Sequence, residues 1–275
     1  MRDAGKLVEA LNEFEALANM AATEPERSDL LGNQANCLWR LGRLDEARQR
    51  LVESQREGKT PSGELLDTYI CVSEGKAQEA EEKLKTFLEK YPDLRESEHR
   101  YIYFCAQDEL GRLLFDSGRY AEAVQPLRAA LAFFDDIDRR RWLNYCLGVC
   151  HYWNDQWDAA IEKFSESLPS DRHHTWWAET QYYIGICHAR LGKLDLAELE
   201  LRLSLPSDRS VPRWVLAQFE LGCIFFRRGA FGEAKSTFEI CELLAEDTEI
   251  KADISKWLKA ARERLGQGSE PIVRM

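Results

Sequence analysis

Cysteine and histidine are the residues of this chain that could hold a metal ion, and the sequence contains 8 Cys and 5 His. Cys146 and Cys150 are four positions apart, so on a helix both thiols would face the same side. A structural zinc site needs four ligands, and no second close pair of Cys or His completes such a set. His173 and His174 adjoin in a loop before TWWAETQYY, which favours a capping or solvated role. We therefore expect no metal ion and no cofactor.

The sequence motifs whose spacing is typical of catalysis are absent from the chain. It contains no P-loop, no Rossmann glycine pattern, no GxSxG and no HExxH. Carboxylate neighbours such as Asp135 and Asp136 fall at helix ends or loops, whereas acid–base catalysis needs them in a pocket. His151 and His188 are 37 residues apart and are interpreted as packed interior histidines. The sequence therefore predicts a protein that is not an enzyme.

The charge balance argues against nucleic acid as a partner. The 275 residues include 37 Lys and Arg against 48 Asp and Glu, which gives a formal net charge of −11. An acidic surface without a long basic block repels a phosphate backbone. We expect no nucleic acid and keep an RNA-reading repeat protein only as a distant alternative.

Hydropathy and cysteine spacing indicate a cytoplasmic protein that does not enter a membrane. The first residues, MRDAGKLVEALNEFEALANM, carry acidic side chains through their apolar stretch, unlike a signal peptide. No run of about 18 apolar residues occurs elsewhere. The scattered cysteines contain no CxxC pair, and free Cys on an apolar helix acts as a small hydrophobic residue.

Internal repetition is the strongest signal in the chain. A phrase of turn residue, apolar residue and alanine returns as GKLVEA, GRLDEA, GKAQEA, GRYAEA, DQWDAA, GKLDLA and GAFGEA. The phrases start at Gly5, Gly42, Gly75, Gly118, Asp155, Gly192 and Gly229. The steps between them are 37, 33, 43, 37, 37 and 37 residues, and SLPSDR also recurs 37 residues later.

Each turn is followed and preceded by residues in fixed register. Five positions after it stands an alanine, in every case: Ala10, Ala47, Ala80, Ala123, Ala160, Ala197 and Ala234. Four positions further stands a large apolar residue on the same helical face. Seven positions before the turn stands a small residue: Ala35, Thr68, Gly111, Gly148, Gly185 or Gly222. Because glycine inside a helix costs about 1 kcal/mol relative to alanine, its recurrence predicts a close approach of two helices.

These residues resemble the tetratricopeptide repeat family, whose pattern has Leu-Gly in a first helix, Gly at the turn, and Ala then Leu or an aromatic in a second. The resemblance covers about residues 5 to 245, and LGRLLFDSGRYAEAVQPLRAAL and IGICHARLGKLDLAELELRLSL match it best. The sequence departs from the pattern in its 37-residue period, where the family's is usually 34, in Asp155 at a turn, and in His151 and His188 where an aromatic is customary. Residues 92–100 form an insertion.

The resemblance implies an all-α fold, a right-handed superhelical solenoid of antiparallel helix pairs. We expect about six full repeats after an N-terminal half-repeat, with a single solenoid over residues 1–265. Residues 248–265 would form a cap helix, and residues 266–275 a flexible tail. In this family the first helices line a concave groove that binds an extended peptide or a partner's helix.

The groove-lining positions lie three, six and ten residues before each turn, and arginines recur two residues before it. Aromatic residues are frequent at these positions and are typical of binding hot spots. The predicted groove residues are Trp39, Tyr69, Arg112, Phe115, Tyr145, Val149, Tyr152, Tyr182, Ile186, Arg190, Phe219, Phe226 and Arg227. The alternative is that the aromatics only pack between helices and that the arginines meet C-terminal helix carbonyls. The Lys and Asn clamp for chaperone tails is absent.

The function expected from this resemblance is a scaffold that binds an apolar or aromatic segment of a partner protein. The alternative is a non-catalytic regulatory or targeting domain cut from a larger enzyme or transcription regulator. Self-association into a homo-oligomer stays open.

Overall fold

A computed structural model describes residues 2–56, 58–170, 176–205 and 212–267. Within these ranges the chain forms fourteen α-helices and one 3₁₀-helix, and no strand. The expected all-α class is confirmed. The adjacent histidines His173 and His174 lie outside the described residues, and so do residues 268–275 of the predicted tail, whereas Gly266 and Gln267 belong to the last helix.

The chain divides into two compact units, unit 1 over Met1–Phe133 and unit 2 over Phe134–Met275. Unit 1 contains α1 (Arg2–Met20), α2 (Glu24–Arg40), α3 (Leu44–Ser54), α4 (Pro61–Ser73), α5 (Ala77–Lys90), a 3₁₀-helix (Pro92–Glu96), α6 (Arg100–Asp116) and α7 (Tyr120–Phe133). Unit 2 contains α8 (Ile137–Trp153), α9 (Trp157–Ser167), α10 (Trp177–Arg190), α11 (Leu194–Ser204), α12 (Pro212–Arg227), α13 (Phe231–Leu244) and α14 (Thr248–Gln267). The right-handed superhelix and the single solenoid over residues 1–265 stay predictions.

The turns between paired helices share one hydrogen-bonding pattern. After α2, the Gly42 amide donates to the Trp39 carbonyl and the Arg43 amide to the Leu38 carbonyl, both at 2.9 Å. This is the Schellman motif, in which the residue after the helix adopts a left-handed conformation. Gly42 has φ 76°, a conformation that glycine adopts without steric cost. The predicted turns at positions 75, 118, 192 and 229 repeat this geometry.

Two of the predicted turn positions differ from the others. Asp155 replaces glycine yet still has φ 58°, and its amide donates to the Tyr152 carbonyl at 3.1 Å. Gly5 was predicted at a turn, which is wrong, because α1 runs without interruption from Arg2 to Met20. Gly5 lacks the positive φ of the other turn glycines, and a glycine in the first turn of a helix only has to adopt helical dihedrals.

The repeated small and large residues form the core of both units. The alanines five positions after the turns at 42, 75, 118, 155, 192 and 229 are all 0% exposed. The predicted close approach of paired helices is confirmed at the glycines. A Cβ added at Gly148 would lie 2.6 Å from the Phe164 ring, and one at Gly222 would lie 2.5 Å from the Phe238 ring. Each first helix is thus pressed against the second helix of its own repeat.

The cysteines behave as the sequence predicted, as free thiols in helices. Seven of the eight are buried, and Cys105 is half-buried. Burial raises the pKa of the Cys150, Cys187 and Cys241 thiols to about 12, so these groups stay protonated at neutral pH and are poor nucleophiles. In the part of the chain that the structure describes, no helix is both long and apolar enough to span a lipid bilayer.

Candidate binding face on the first helices of unit 2

Three first helices, α8, α10 and α12, present most of the predicted site residues. We define the first-helix face of unit 2 as the following side chains, some of them predicted from sequence and some found in the structure: Tyr145, Tyr152, Trp153, Glu179, Tyr182, Arg190, Phe219, Glu220, Phe226 and Arg227. The 37-residue period places equivalent side chains on successive first helices, because each turn fixes the end of its helix in the same register.

A hydrogen-bonded chain links the middle of α8 to the N-terminal turns of α10 and α12. The Tyr145 hydroxyl of α8 donates to Glu179 Oε1 of α10 at 2.7 Å, and Arg213 Nη2 of α12 lies 3.0 Å from Glu179 Oε2. Burial raises the pKa of the Tyr145 hydroxyl, and the bond to Glu179 raises it further. The Tyr145 ring also lies 6.2 Å from Trp176 in a stacked arrangement. Tyr145 therefore holds neighbouring repeats together, whatever else it binds.

A second aromatic group lies near the C-terminal end of α8. The Tyr152 ring makes edge-on contacts with Trp153, Trp157 and Tyr183, each at 5.4 Å between ring centres. Tyr182 in turn contacts Tyr183 edge-on at 5.7 Å. Of these rings Trp153 is the outermost, with 59% of its surface exposed. The group is packed at its base and open to solvent at Trp153.

Three charged groups surround this aromatic group. Burial raises the pKa of the Glu220 carboxyl, whereas the positive charges of Arg190 and Arg227 oppose the shift. Burial likewise raises the pKa of the Tyr152 hydroxyl, and Arg190 again opposes it. Arg227 Nη1 donates to the Ala189 carbonyl in the last turn of α10 at 3.1 Å. The alternative role for these arginines, contact with C-terminal helix carbonyls, is therefore observed at Arg227.

Other predicted groove residues are too buried to meet a ligand. Val149 is 5% exposed and Ile186 is 4% exposed, so the prediction that they line an open groove is wrong. Both stand six residues before a turn, where the first helices are packed among their neighbours. Phe219 and Phe226 are half-buried, and their rings contact Phe238 at 5.8 Å and Trp257 at 5.2 Å. Of the predicted groove residues in unit 2, Arg190 and Arg227 are exposed, and both lie two residues before a turn.

In unit 1 the predicted residues are engaged with a neighbouring helix or with their own helix. Trp39 stacks on Tyr69 with ring centres 5.1 Å apart, and its indole Nε1 donates to Ser73 Oγ at 2.9 Å. Arg112 forms ion pairs with Glu109 and Asp116 on α6, so its guanidinium is already neutralised by carboxylates of its own helix. These residues stabilise unit 1, and Arg112 is poorly placed to hold a ligand carboxylate.

Phe115 lies beside the turn after α6, and its ring contacts Tyr120 edge-on at 5.7 Å.

An open pocket of about 470 Å³ lies near α4 and α5, and charged side chains dominate its lining. Lys83 and Lys90 are paired there with Asp67 and Glu64, each at 2.7 Å. These internal ion pairs neutralise part of the charge that the pocket could offer to a ligand.

Three residues of the face were not among the sequence predictions, namely Trp153, Glu179 and Glu220. Trp153 could have been found, because it stands two residues before a turn, the same repeat position as Arg190 and Arg227. Glu179 and Glu220 give no such signal, since their importance comes from contacts with neighbouring helices.

Comparison with known proteins agrees with the fold. The family model described as tetratricopeptide repeat matches residues 2–57 and 109–174. No curated protein sequence matches the chain significantly. The C-terminal part of a TPR repeat-containing protein from Cytophaga hutchinsonii superposes with a TM-score of 0.57 at 12% identity, over 89% of this chain and 93% of that one.

Two further solved structures are similar. A MamA protein from Desulfovibrio magneticus RS-1 has a TM-score of 0.50 at 20% identity, over 64% of this chain and 92% of that one. Repeats of a putative kinesin light chain from Podospora anserina have a TM-score of 0.50 at 19% identity, over 70% of this chain and 95% of that one. At these identities the similarity shows the fold alone.

Proposed function

Because the chain carries tetratricopeptide repeats, we propose that it is a scaffold that binds an apolar or aromatic segment of a partner protein on the first-helix face of unit 2. Stacked helix pairs leave a repeated surface, and this fold is typical of scaffolds that bind extended peptides or helices. The protein would act by binding, without catalysis of its own.

The exposed indole of Trp153 is the observation that supports this proposal most. Its ring stands against Tyr152, which is itself braced by Trp157 and Tyr183, so the aromatic base is rigid. Trp, Tyr and Arg are the residues most enriched in binding hot spots, since they give large contact area with few rotatable bonds. The exposed Arg190 on α10 adds a donor for a backbone carbonyl or carboxylate of the partner.

Glu220 strengthens the proposal because its burial is costly. A carboxylate removed from water without a hydrogen-bond donor destabilises a fold, whereas a neutral side chain of similar shape would not. Arg190 and Arg227 compensate part of this cost. A half-buried acid close to two arginines on this face is a suitable partner for a donor group of the bound segment.

The test compares two variants of the full chain as bait in affinity purification with quantitative mass spectrometry. Trp153→Ser combined with Arg190→Glu should lose the partner that the wild type captures, since truncation of one hot spot costs about 2 kcal/mol, or roughly thirtyfold. Leu243→Ser, at a residue that is 81% exposed on α13, is the matched control and should capture it normally.

Circular dichroism of both variants checks that they fold. Equal capture by the wild type and the Trp153 variant would refute the assignment of this face, even if a partner exists. Once the partner is known, its binding segment can be titrated against each protein. The wild type and the Leu243→Ser variant should bind it with similar affinity, and the variant with Trp153→Ser and Arg190→Glu should bind it more weakly.

A further inference from the structure

The helix α11 carries leucines on the side that faces away from its neighbouring helices. Leu196, Leu199 and Leu203 are 46%, 53% and 36% exposed, and their spacing of three and four residues places them on one face of the helix. The opposite face is buried, since Ala197 and Leu201 are both 0% exposed. We call the three exposed residues the leucine stripe of α11.

The other second helices that follow a turn form without leucine at the first two of these positions. Seven positions after their turns stand polar residues, namely Gln49, Glu82, Gln125, Glu162 and Ser236. Four positions after the same turns stand Glu46, Glu79, Glu122, Ala159 and Glu233. The fold of the repeat therefore does not require the leucine stripe, and contiguous exposed apolar side chains are typical of interaction sites.

Each flank of the stripe carries one acid and one base, about two helical turns apart. Asp195 and Arg202 lie on one flank, and their side chains are 99% and 58% exposed. Lys193 and Glu200 lie on the other flank, where the Lys193 side chain is 49% exposed and Glu200 is half-buried. The acid comes first along the chain on one flank, and the base comes first on the other.

This pattern is complementary to itself when two copies of α11 run antiparallel. The midpoint between Leu196 and Leu199 lies within one residue of the midpoint of each charged pair. In an antiparallel pair of helices, each flank faces the same flank of the partner helix. Asp195 then faces Arg202 of a second copy, and Lys193 faces Glu200 of that copy. Charges that flank an apolar seam in this way set partner choice and orientation.

The ion pairs that these charges form within the chain leave them accessible. Asp195 pairs with Arg228 at 2.6 Å, and Arg202 pairs with Glu198 at 2.6 Å. Ion pairs on a solvated surface contribute little to stability. Asp195 and Arg202 can therefore exchange these partners for charges of a second copy at small cost.

We propose that the chain forms a weak antiparallel dimer through the leucine stripe of α11. Burial of the six leucines stabilises the dimer, and four ion pairs across the flanks fix its orientation. A helix of 11 residues is only about 16 Å long, so the contact is small and typical of weak, reversible complexes. The first-helix face of unit 2 lies on α8, α10 and α12, so dimerisation does not use its residues.

Sedimentation equilibrium of the full chain tests the dimer from about 5 to 500 μM, where small interfaces are expected to dissociate. Across this range the average mass of the wild type should rise from that of one chain towards that of two. Leu199→Glu should stay monomeric, because it places a carboxylate in the centre of the apolar contact. Ser236→Glu is the matched control, since it adds the same charge at the same repeat position of α13, and it should dimerise as the wild type does.

Charge exchange tests the antiparallel orientation. Asp195→Arg should raise the dissociation constant about fivefold, because it sets an arginine against Arg202 of the other copy on both sides of the dimer. Arg202→Asp should have a similar effect. The two changes together restore opposite charges, so the double variant should return to within about twofold of the wild type. The variant with Trp153→Ser and Arg190→Glu should dimerise normally, which separates this surface from the first-helix face.

Three results would overturn the proposal. The first is a wild-type chain that stays monomeric across the whole concentration range, because a different protein would then have to cover the stripe. The second is a dimer that Leu199→Glu does not weaken, and the third is a double charge exchange that stays as weak as the single changes. Circular dichroism verifies that each variant is folded, and Leu199→Ser replaces Leu199→Glu if the latter unfolds.

Discussion

Substitution of Gly148 by alanine tests the close approach of paired helices. The added Cβ would lie 2.6 and 2.7 Å from Cδ1 and Cε1 of the Phe164 ring, against ordinary contacts of 3.4 Å or more. The ring cannot easily move away, because it stacks on Tyr183 with ring centres 5.2 Å apart and an interplanar angle of 9°. Overpacking of this kind costs about 1–3 kcal/mol, whereas alanine gains about 1 kcal/mol in helix propensity.

With the braced ring we expect the upper part of this range, so Gly148→Ala should destabilise the chain by about 1–2 kcal/mol. Gly232→Ala is the matched control, since Gly232 is helical and an added Cβ would have no neighbour within 4 Å. It should stabilise by about 0.5–1 kcal/mol. The two changes are chemically identical and should have opposite signs in urea unfolding followed by circular dichroism.

A second substitution shows whether the ring is the cause. The chain itself places Ala35 opposite Leu51 in one repeat, and a leucine side chain can shift more easily than a ring that stacks on Tyr183. Phe164→Leu combined with Gly148→Ala should therefore lose less stability than the sum of the single changes, with a coupling of about 1–2 kcal/mol. If Gly148→Ala stabilised the chain as much as Gly232→Ala, or if the double mutant were additive, the steric reasoning would be refuted.

Three further predictions concern one turn and two carboxyl groups with shifted pKa values. Asp155 has φ 58°, a left-handed conformation that costs a residue with a Cβ more than it costs glycine. Asp155→Gly should therefore raise the free energy of unfolding by about 1 kcal/mol. An unchanged urea midpoint would contradict this prediction. Burial raises the pKa of Glu220, so the free energy of unfolding of the wild type should fall as pH rises from about 4.5 to the raised pKa. The Glu220→Gln variant should lack this fall, which urea midpoints measured across that pH range would show. Hydrogen bonds from Arg48 and Lys76 lower the pKa of Glu74 to about 2. The stability that this carboxylate contributes is therefore present above about pH 4.5 and is lost as pH falls towards 2. With Arg48→Met, the free energy of unfolding should depend less on pH in this range than it does in the wild type.

The repeat could be predicted from sequence because its signals are local. A left-handed residue closes each first helix, and the alanine and small residue in register with it fix which faces meet. Gly42 and Gly148 are examples, since their roles follow from position alone. Gly5 shows the limit of this reasoning, because the same phrase GKLVEA lies inside α1. A turn requires two helices, and the phrase specifies only the second.

The site was harder to predict because burial depends on neighbouring repeats. Helical periodicity correctly places Val149 and Ile186 on the side of Tyr145 and Tyr182, but it does not report how closely α8, α10 and α12 pack. Arg112 was misjudged for a different reason. Glu109 and Asp116 lie three and four residues away on the same helix, and such pairs neutralise a guanidinium before any ligand arrives. The spacing of Glu109 and Asp116 around Arg112 can be read from the sequence.

The accessible part of the binding face therefore lies near the ends of the first helices. In unit 2, Val149, Ile186 and Cys223 lie six residues before the turns and are buried. Trp153, Arg190 and Arg227 lie two residues before the turns and are exposed. Helix C-termini carry partial negative charge, and the arginines at two of these ends offset it. A partner segment crossing the ends of α8, α10 and α12 would thus meet an indole and two guanidinium groups in succession. Such a surface favours a segment with aromatic and carbonyl or carboxylate groups over a strongly basic one.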